Sequence, residues 1–238
     1  MMAAGGAIKP VYEVMAESGA SFDSDAYIGA VKGYYTTTEG EMLSLPFNSS
    51  TPVLWVNRDA MSAAGVDPDT DMSTWEQVDD VLAKLKAGGE DCPLVTAWQS
   101  WIHLENFSAY HNVPFASKDN GFAGLDTELM LNGEAQVAHL SKMAEWAKDG
   151  KFIYTGRRNE GGANFRSGEC ALFTESSAGY AGISSEAKFD FEVRPLPYWK
   201  AIASSPQNTI IGGASLWVMS GHSDAEYKGA GEFLSFLS

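Results

Sequence analysis

The sequence STWEQVDDVLAKLKAGGEDCPLVTAWQSW, residues 73–101, places a helix, a glycine stop and a strand in close succession. Ser73–Glu76 has the form of a capping box, and apolar residues then recur at helical spacing until Gly88. Residues 92–97 (CPLVTA) form the short apolar run of a buried strand. Two tryptophans follow where this strand should turn into the next helix. The stretch therefore predicts a unit of an α/β protein.

The same alternation continues on both sides of this stretch. Further helices are predicted at residues 8–15, 99–111, 134–149 and 224–237, and further strands at 53–56, 170–174, 191–196 and 214–219. The buried stripe of the helix at 134–149 is expected to consist of Val137, Leu140, Ala144 and Ala147. Strands separated by helices predict mostly parallel sheets, whose ligands bind beyond the carboxyl ends of the strands.

Composition and charge exclude some partners. The 238 residues carry a formal net charge of -15, with a pI of about 4.5. Such an acidic surface repels nucleic acid and anionic lipid, so neither is an expected partner. An anionic ligand would have to be held by local hydrogen-bond donors. No apolar run approaches the ~18 residues that a membrane-spanning helix requires.

The two cysteines and the two ends of the chain give further expectations. Cys92 and Cys170 either form a disulfide or remain two buried thiols, and their spacing does not decide between these states. Residues 1–6 lack the basic and apolar regions of a signal peptide, and the last predicted helix has no C-cap. We therefore expect a fragment from which the signal peptide is missing.

Two segments could supply uncharged donors to an anion. Residues 47–52 (FNSSTP) place Asn48, Ser49 and Ser50 just before the strand at 53–56, although an ordinary polar turn has the same composition. Gly212 and Gly213 lie beside the predicted strand at 214–219. Glycine allows close approach of a ligand to backbone N–H groups, and it also allows a bulge or a hinge.

Two more segments follow predicted strands directly. Trp98 and Trp101 lie where the strand at 92–97 turns into a helix, so an indole could stack on a polyol or pack into the core. Ser176 and Ser177 open a helix after the strand at 170–174. Their hydroxyl and N–H groups could hold an anion or simply cap the helix.

Motifs of enzymes and metal sites do not occur. The chain has no nucleophile elbow, no Walker A sequence, no dinucleotide fingerprint and no zinc-protease motif. The four histidines are scattered, and the two cysteines are far apart. We expect no catalytic residue, no metal and no cofactor.

Several of these segments together resemble a known family. They are FNSSTPVLWVNRDAMSAAGVDP, STWEQ, AWQSWIHLENFSA, PFASKDNGF, FRSGECALFTESS and PQNTIIGGASLWVM. Their order is similar to that of the extracellular solute-binding proteins of bacterial ABC importers, which include the maltose-binding proteins. The resemblance is to the branch that binds glycerol 3-phosphate, and it covers nearly the whole chain.

The resemblance implies an α/β fold of the type II periplasmic binding protein class, with two lobes and a hinge. The first lobe would comprise residues 1–52 and 206–238, and the second residues 53–205, with crossings near Pro52 and Pro206. Parts of the family's first lobe and some of its ligand residues would lie outside this chain. The implied ligand-binding positions are Ser50, Trp98, Trp101, Ser176 and Gly213, with Asn48 and Ser49 as neighbours.

The implied function is extracytoplasmic capture of sn-glycerol 3-phosphate, or of a glycerophosphodiester, for import through permease subunits. The protein would be a periplasmic monomer and not an enzyme. Alternatives are a sugar-binding member of the same family, a binding protein that serves a sensory receptor, and a phosphatase or esterase that uses Ser50 or Ser176.

Overall fold

The computed structural model describes residues 5–238, so residues 1–4 of the N-terminal segment considered above lie outside the described residues. The chain divides into two compact units. Unit 1 contains the described residues up to Ser50 together with Ile211–Ser238, and unit 2 contains Thr51–Ile210. The closure of two lobes about a hinge stays a prediction.

The elements follow one another in chain order. The strands are β1 (Ile8–Lys9), β2 (Leu45–Ser50), β3 (Pro52–Asn57), β4 (Leu94–Thr96), β5 (Phe152–Ile153), β6 (Leu172–Ser176), β7 (Phe191–Pro195), β8 (Gly212–Leu216) and β9 (Val218–Met219). The helices are α1 (Val11–Ser18), α2 (Gly29–Tyr34), α3 (Arg58–Ala63), α4 (Trp75–Ala87), α5 (Phe107–Tyr110), α6 (Ser117–Asn120), α7 (Glu134–Lys148), α8 (Gly161–Arg166), α9 (Tyr180–Glu186) and α10 (Asp224–Leu237). A π-helix at Trp101–Asn106 and 3-10 turns at Ser24–Ala26 and Ser177–Gly179 complete the set. No helix among residues 5–238 has the length and apolar character to cross a bilayer.

Unit 2 is built on a mixed sheet. Its strand order is β5-β4-β6-β3-β7. Only β4 with β5 and β4 with β6 are parallel, whereas β3 runs antiparallel to both β6 and β7. The expectation of mostly parallel sheets was therefore wrong. The reason is that β3 enters this sheet from unit 1 and not through a helical crossover, so nothing requires it to run parallel.

The sheet of unit 2 is buried on both faces. Alternate residues of a strand point to opposite faces. Accordingly, Leu54 and Leu94 belong to one apolar cluster with Trp75 and Trp146, while their neighbours Trp55 and Val95 belong to a second cluster. Both faces are apolar because both are covered, which is the usual state of a central α/β sheet.

Helix α7 corrects one sequence-based expectation. Val137 and Leu140 are about half exposed, and Ala144 and Ala147 are exposed as well. The buried face is formed by residues one position away: Gln136, His139, Met143 and Trp146. The apolar pattern was misleading because two polar side chains are buried with partners. The Gln136 amide, for example, donates to the Pro114 carbonyl at 2.9 Å.

Smaller differences concern where elements begin. Ile8 lies in β1 and not in the first helix, which begins after Pro10. The capping box of α4 is Thr74 with Gln77, one residue later than expected, because Thr74 is the residue with extended backbone before the helix. The final helix has the predicted bounds, and α4 ends at the predicted glycines.

Unit 1 contains two small antiparallel sheets, one of β1 with β9 and one of β2 with β8. Helices α1 and α10 pack together, and Val11, Met15, Leu45 and Leu234 form its buried apolar cluster. Residues from the two ends of the chain therefore build this unit jointly.

Cys92 and Cys170 form a disulfide, which resolves the alternative that the spacing left open. Both residues are buried in the apolar cluster that contains Phe165 and Phe173. The bridge joins the segments that lead into β4 and β6, so it links the two central parallel strands at their start.

We predict that replacing Cys92 and Cys170 by serine lowers the free energy of unfolding of unit 2. The bridge closes a loop across 78 residues, and losing such a constraint typically costs about 2–4 kcal/mol. Urea unfolding followed by circular dichroism measures the change. Reductant should cause a similar loss in the unsubstituted chain and none in the double variant. Equal midpoints for oxidised and reduced chain would contradict the prediction.

Candidate functional site

The parallel pairing of β4 with β6 brings two predicted ligand residues to one edge of the sheet. Thr96 and Thr174 are register partners, and the Ala97 N–H donates to the Thr174 carbonyl at 2.9 Å. Both strands end there, so Trp98 lies two residues after the end of β4, and Ser176 is the last residue of β6. We call this group, with Glu175, the Trp98 edge.

Trp98 has a backbone that few residues of its type adopt. Its φ is +46°, in the left-handed region, and its side chain is 38% exposed. Such a conformation costs of order 1–3 kcal/mol in a non-glycine residue and persists only where neighbours enforce it. Here the Trp98 N–H donates to the Arg158 carbonyl at 2.8 Å, and the Trp98 carbonyl accepts from the Ile102 N–H at 3.0 Å. The turn therefore presents an indole to solvent in a fixed backbone geometry.

Trp101 is placed differently from Trp98. It begins the π-helix, and its half-buried side chain packs against the large apolar cluster of unit 2. The helix predicted at 99–111 thus consists of a π-helical first part and a short α-helix. Trp101 has the packing role that the sequence allowed as an alternative, and its contact with ligand stays a prediction.

Ser176 caps the turn that leads into α9. Its hydroxyl oxygen accepts from the Ala178 N–H at 3.1 Å, and no acceptor for the hydroxyl proton is found among residues 5–238. The Ser177 hydroxyl likewise accepts one bond, from the Thr51 N–H, and the Ser177 N–H donates to the Thr51 carbonyl. The hydroxyl contacts therefore do not distinguish the two serines, and ligand contact at Ser176 stays a prediction.

Glu175 belongs to the Trp98 edge and was missed in the sequence. Its side chain is only 3% exposed, and one carboxylate oxygen accepts from the Ser176 N–H at 2.6 Å. Burial raises the pKa of the Glu175 carboxyl to about 7, although the Ser176 N–H, the nearby Trp98 indole and the Arg166 guanidinium oppose the shift. Glutamate side chains are normally exposed, so the residue type gave no indication that this one is buried. The only signal in the sequence was its position between Thr174 and Ser176.

A buried chain of hydrogen bonds supports the turn before Trp98. The Trp199 indole N–H donates to His139 Nδ1 at 2.9 Å, so His139 carries its proton on Nε2 and donates to His103 Nδ1 at 3.2 Å. His103 then donates from Nε2 to the hydroxyls of Thr174 and Thr96. Thr96 in turn donates to the Ala97 carbonyl at 3.1 Å. Every ring nitrogen of both histidines has a partner in this neutral arrangement.

The other predicted ligand residues lie in unit 1. Residues 47–52, for which an ordinary polar turn was the alternative, are mostly part of strand β2, in which Ser49 pairs with Gly213 and Ser50 with Gly212. The Asn48 amide oxygen accepts from the Ala214 N–H at 3.0 Å. The structure therefore brings Asn48, Ser49, Ser50 and Gly213 together in one two-stranded sheet.

Gly213 has a structural reason to be glycine. Its φ is +132°, and a Cβ at this position would lie 2.1 Å from the Asn48 carbonyl oxygen. The bulge in β2 between Pro46 and Asn48 lies beside it. The close approach of the two strands explains the residue type by itself, so ligand contact at Gly213 stays a prediction.

No group of three or more histidine, cysteine, aspartate or glutamate side chains in residues 5–238 is arranged to hold a metal ion. The Trp98 edge instead carries uncharged side-chain donors, the Ser176 hydroxyl and the Trp98 indole, while the N–H groups of Ser176 and Ala178 are bonded within the protein. Uncharged donors of this kind suit a ligand that brings its own negative charge.

Comparison with known proteins assigns the class. A family model described as "Bacterial extracellular solute-binding protein" matches residues 2–238. The chain belongs to this family of bacterial extracellular solute-binding proteins.

The chain is similar over its whole length to curated relatives. The chain is 48% identical over all 238 residues to the sn-glycerol-3-phosphate-binding periplasmic protein UgpB of Pectobacterium atrosepticum and to that of Escherichia coli K12. These matches cover 100% of this chain and 54% of each relative. The chain thus spans about half the length of the curated relatives it matches.

Solved structures confirm the fold class. UgpB from Mycobacterium tuberculosis, in complex with glycerophosphocholine, matches with a TM-score of 0.78 at 21% identity, over 99% of this chain and 58% of that chain. The GacH receptor of Streptomyces glaucescens matches with a TM-score of 0.75 at 16% identity, over 98% of this chain and 57% of that chain. The α/β solute-binding fold predicted from the sequence is confirmed.

We predict that the chain loses stability on acidification through its buried histidines. Burial lowers the pKa of His103 to about 3 and that of His139 well below its ordinary value of 6.5. The unfolded chain takes up protons at both side chains below about pH 6.5 and the folded chain does not. The free energy of unfolding should therefore fall as the pH drops from about 6.5, by up to about 1.4 kcal/mol per pH unit for each histidine.

Urea unfolding at pH 7, 6 and 5 measures this slope. His139→Gln should make the slope shallower, and His222→Gln, at an exposed histidine of unit 1, serves as the matched control. Equal slopes for the two variants would show that the buried histidines do not resist protonation.

Proposed function

We propose that this chain is part of an extracytoplasmic binding protein that captures sn-glycerol 3-phosphate, or a glycerophosphodiester, for an ABC importer. It would act in the periplasm as a monomer and deliver its ligand to permease subunits. The single observation that carries the proposal is the 48% identity over the whole chain to proteins named for binding sn-glycerol 3-phosphate.

The chemistry of the Trp98 edge supports this ligand class. A phosphate monoester carries about -1.5 to -2 charges at neutral pH and accepts several hydrogen bonds. The Ser176 hydroxyl supplies a free donor there without adding charge. A ligand without phosphate would leave such donors unpaired once water is excluded, at a cost of about 1–3 kcal/mol each. This cost favours the phosphorylated ligand over a plain polyol.

The exposed indole of Trp98 is an argument for a ligand with a polyol part. An exposed indole in a fixed turn offers an apolar face to the C–H groups of glycerol. Ser50 and Gly213, with Asn48 and Ser49, are proposed as ligand contacts on unit 1, and Trp101 as a further contact on unit 2.

A binding role, and not hydrolysis, is favoured by the histidines of unit 2. A serine nucleophile needs a positioned general base to take up its proton, and this base is most often a histidine with a free nitrogen. His103 and His139 use both ring nitrogens in the buried chain described above. His111 uses Nδ1 on the Phe107 carbonyl and Nε2 on the Trp199 N–H. We therefore propose that Ser176 binds the ligand and does not act as a nucleophile.

Isothermal titration calorimetry tests the proposal on two samples, this chain and the complete reading frame that contains it. The ligands are sn-glycerol 3-phosphate, glycerophosphocholine, maltose and glycerol. We expect binding of the first two and none of glycerol. Binding of maltose alone would replace the proposal by a sugar-binding protein, and release of inorganic phosphate would replace it by a phosphatase.

We predict that Trp98→Ala weakens binding of sn-glycerol 3-phosphate in the complete reading frame. Lost stacking of one indole should cost about 1 kcal/mol, or roughly fivefold in Kd. Phe122→Ala, at a 71% exposed aromatic of the same unit, is the control that should leave Kd unchanged. An unaltered Kd for Trp98→Ala would show that this indole does not touch the ligand.

A further inference from the structure

The arginines of unit 2 differ in what they bind. The guanidinium groups of Arg58, Arg166 and Arg194 each have a carboxylate partner, at 2.8 or 2.9 Å. Arg157 and Arg158 are exposed, and neither guanidinium has an ion-pair or hydrogen-bond partner among the residues that the structure describes. These two adjacent cations are therefore available to an anion from solution.

The loop that carries the pair lies beside the Trp98 edge. It follows β5, which runs parallel to β4, so it leaves the sheet on the same side as the turn before Trp98. The Arg158 carbonyl accepts from the Trp98 N–H at 2.8 Å, so the two backbones are in direct contact. An anion that approaches Trp98 therefore also approaches the arginine pair.

The acidic residues near the pair are bonded to the backbone. The Arg158 N–H donates to the Glu160 carboxylate at 2.7 Å. Gly156 has a φ of +150°, and a Cβ at this position would lie 2.5 Å from Cδ of Glu160, so glycine makes room for this side chain. The Glu175 carboxylate accepts from the Ser176 N–H. Neither carboxylate forms an ion pair with the two arginines.

The two ligands considered for this site differ in charge. sn-Glycerol 3-phosphate is a phosphate monoester and carries about -1.5 to -2 charges at neutral pH. Glycerophosphocholine is a phosphodiester whose single negative charge is balanced by its quaternary ammonium group, so the molecule is neutral overall. Exposed cations attract the first ligand and give the second little net advantage. The effect matters here because the chain as a whole carries a formal net charge of -15 and repels anions.

We infer that Arg157 and Arg158 are specificity-determining residues, which favour the phosphate monoester over the neutral phosphodiester at the Trp98 edge. This inference rests on the proposed function and deepens it, because it chooses between the two ligands that the proposed function leaves open. The attraction between exposed charges is screened by salt, so the preference should weaken as the ionic strength rises.

Calorimetry on the complete reading frame measures the Kd of both ligands at about 0.02 M and about 0.5 M salt. At the lower salt, Arg157→Gln/Arg158→Gln should raise the Kd of sn-glycerol 3-phosphate at least about fivefold and that of glycerophosphocholine less than about twofold. At the higher salt the first effect should shrink. Arg157→Lys/Arg158→Lys keeps the charge and should retain the preference.

The matched control removes the same amount of charge elsewhere in unit 2. Lys84 and Lys86 are exposed and lie in the last turn of α4, which leads to the start of β4 and not to its end. Lys84→Gln/Lys86→Gln should leave both Kd values within about twofold of those of the unsubstituted protein, because salt screens charges that are distant from the site.

An independent test needs neither ligand. The Nε–H resonances of Arg157 and Arg158 are assigned in ¹H–¹⁵N spectra of this chain with the single lysine variants. Inorganic sulfate, a tetrahedral dianion, should shift both resonances, and sodium chloride at the same ionic strength should not. The Nε–H resonance of Arg194, whose guanidinium is bound to Glu192, should not respond to either salt.

The outcomes separate the inference from the proposed function. Equal changes in the two Kd values, no change in either, or an equal effect of the lysine control overturns the inference. Sulfate that leaves both arginine resonances unchanged also overturns it. A complete protein that binds neither ligand, while sulfate still shifts both resonances, overturns the proposed function and leaves only an anion contact beside Trp98.

Discussion

The Trp98 edge depends on the in-register parallel pairing of β4 with β6. The hydroxyls of Thr96 and Thr174 meet at 2.7 Å in a fully buried position, and His103 donates to both. Removing this pairing would leave several polar groups buried without partners, each at a cost of about 1–3 kcal/mol. The pairing therefore has few alternatives, and it fixes where Trp98 and Ser176 emerge from the sheet.

The buried polar groups of unit 2 stabilise the turn that carries Trp98. The chain from Trp199 through the two histidines ends at the Ala97 carbonyl, one residue before Trp98. Trp98 itself holds a left-handed backbone that an isolated turn would not keep. A rigid polar interior thus stabilises a strained turn at the edge, which is the arrangement that a preorganised binding surface requires.

Much of the fold was predictable from local pattern. Helices α4 and α10 and strand β4 follow from capping residues, helical periodicity and a short apolar run. The buried face of α7 was not predictable in this way, because His139 and Gln136 are buried by partners that are distant in sequence. The direction of β3 was missed for a similar reason, since it is set by a chain crossing from unit 1 and not by local sequence.

In the candidate site, too, some residues could be identified from local sequence and others only from contacts between distant segments. Trp98 and Ser176 could be identified because they lie where two apolar runs end, and their contact with ligand stays a prediction. Glu175 could not, because its burial depends on the pairing of β6 with β3, which is distant in sequence. The glycine at 213 was noticed for a possible ligand approach, and the structure shows that the carbonyl of Asn48 already requires it.

The most direct test of this account is a crystal structure of the complete reading frame with sn-glycerol 3-phosphate bound. The account predicts a phosphate oxygen within about 3.2 Å of the Ser176 hydroxyl and the glycerol carbons against the Trp98 indole. A ligand bound away from both residues would contradict the account. So would electron density that shows the Trp98 indole packed into the core.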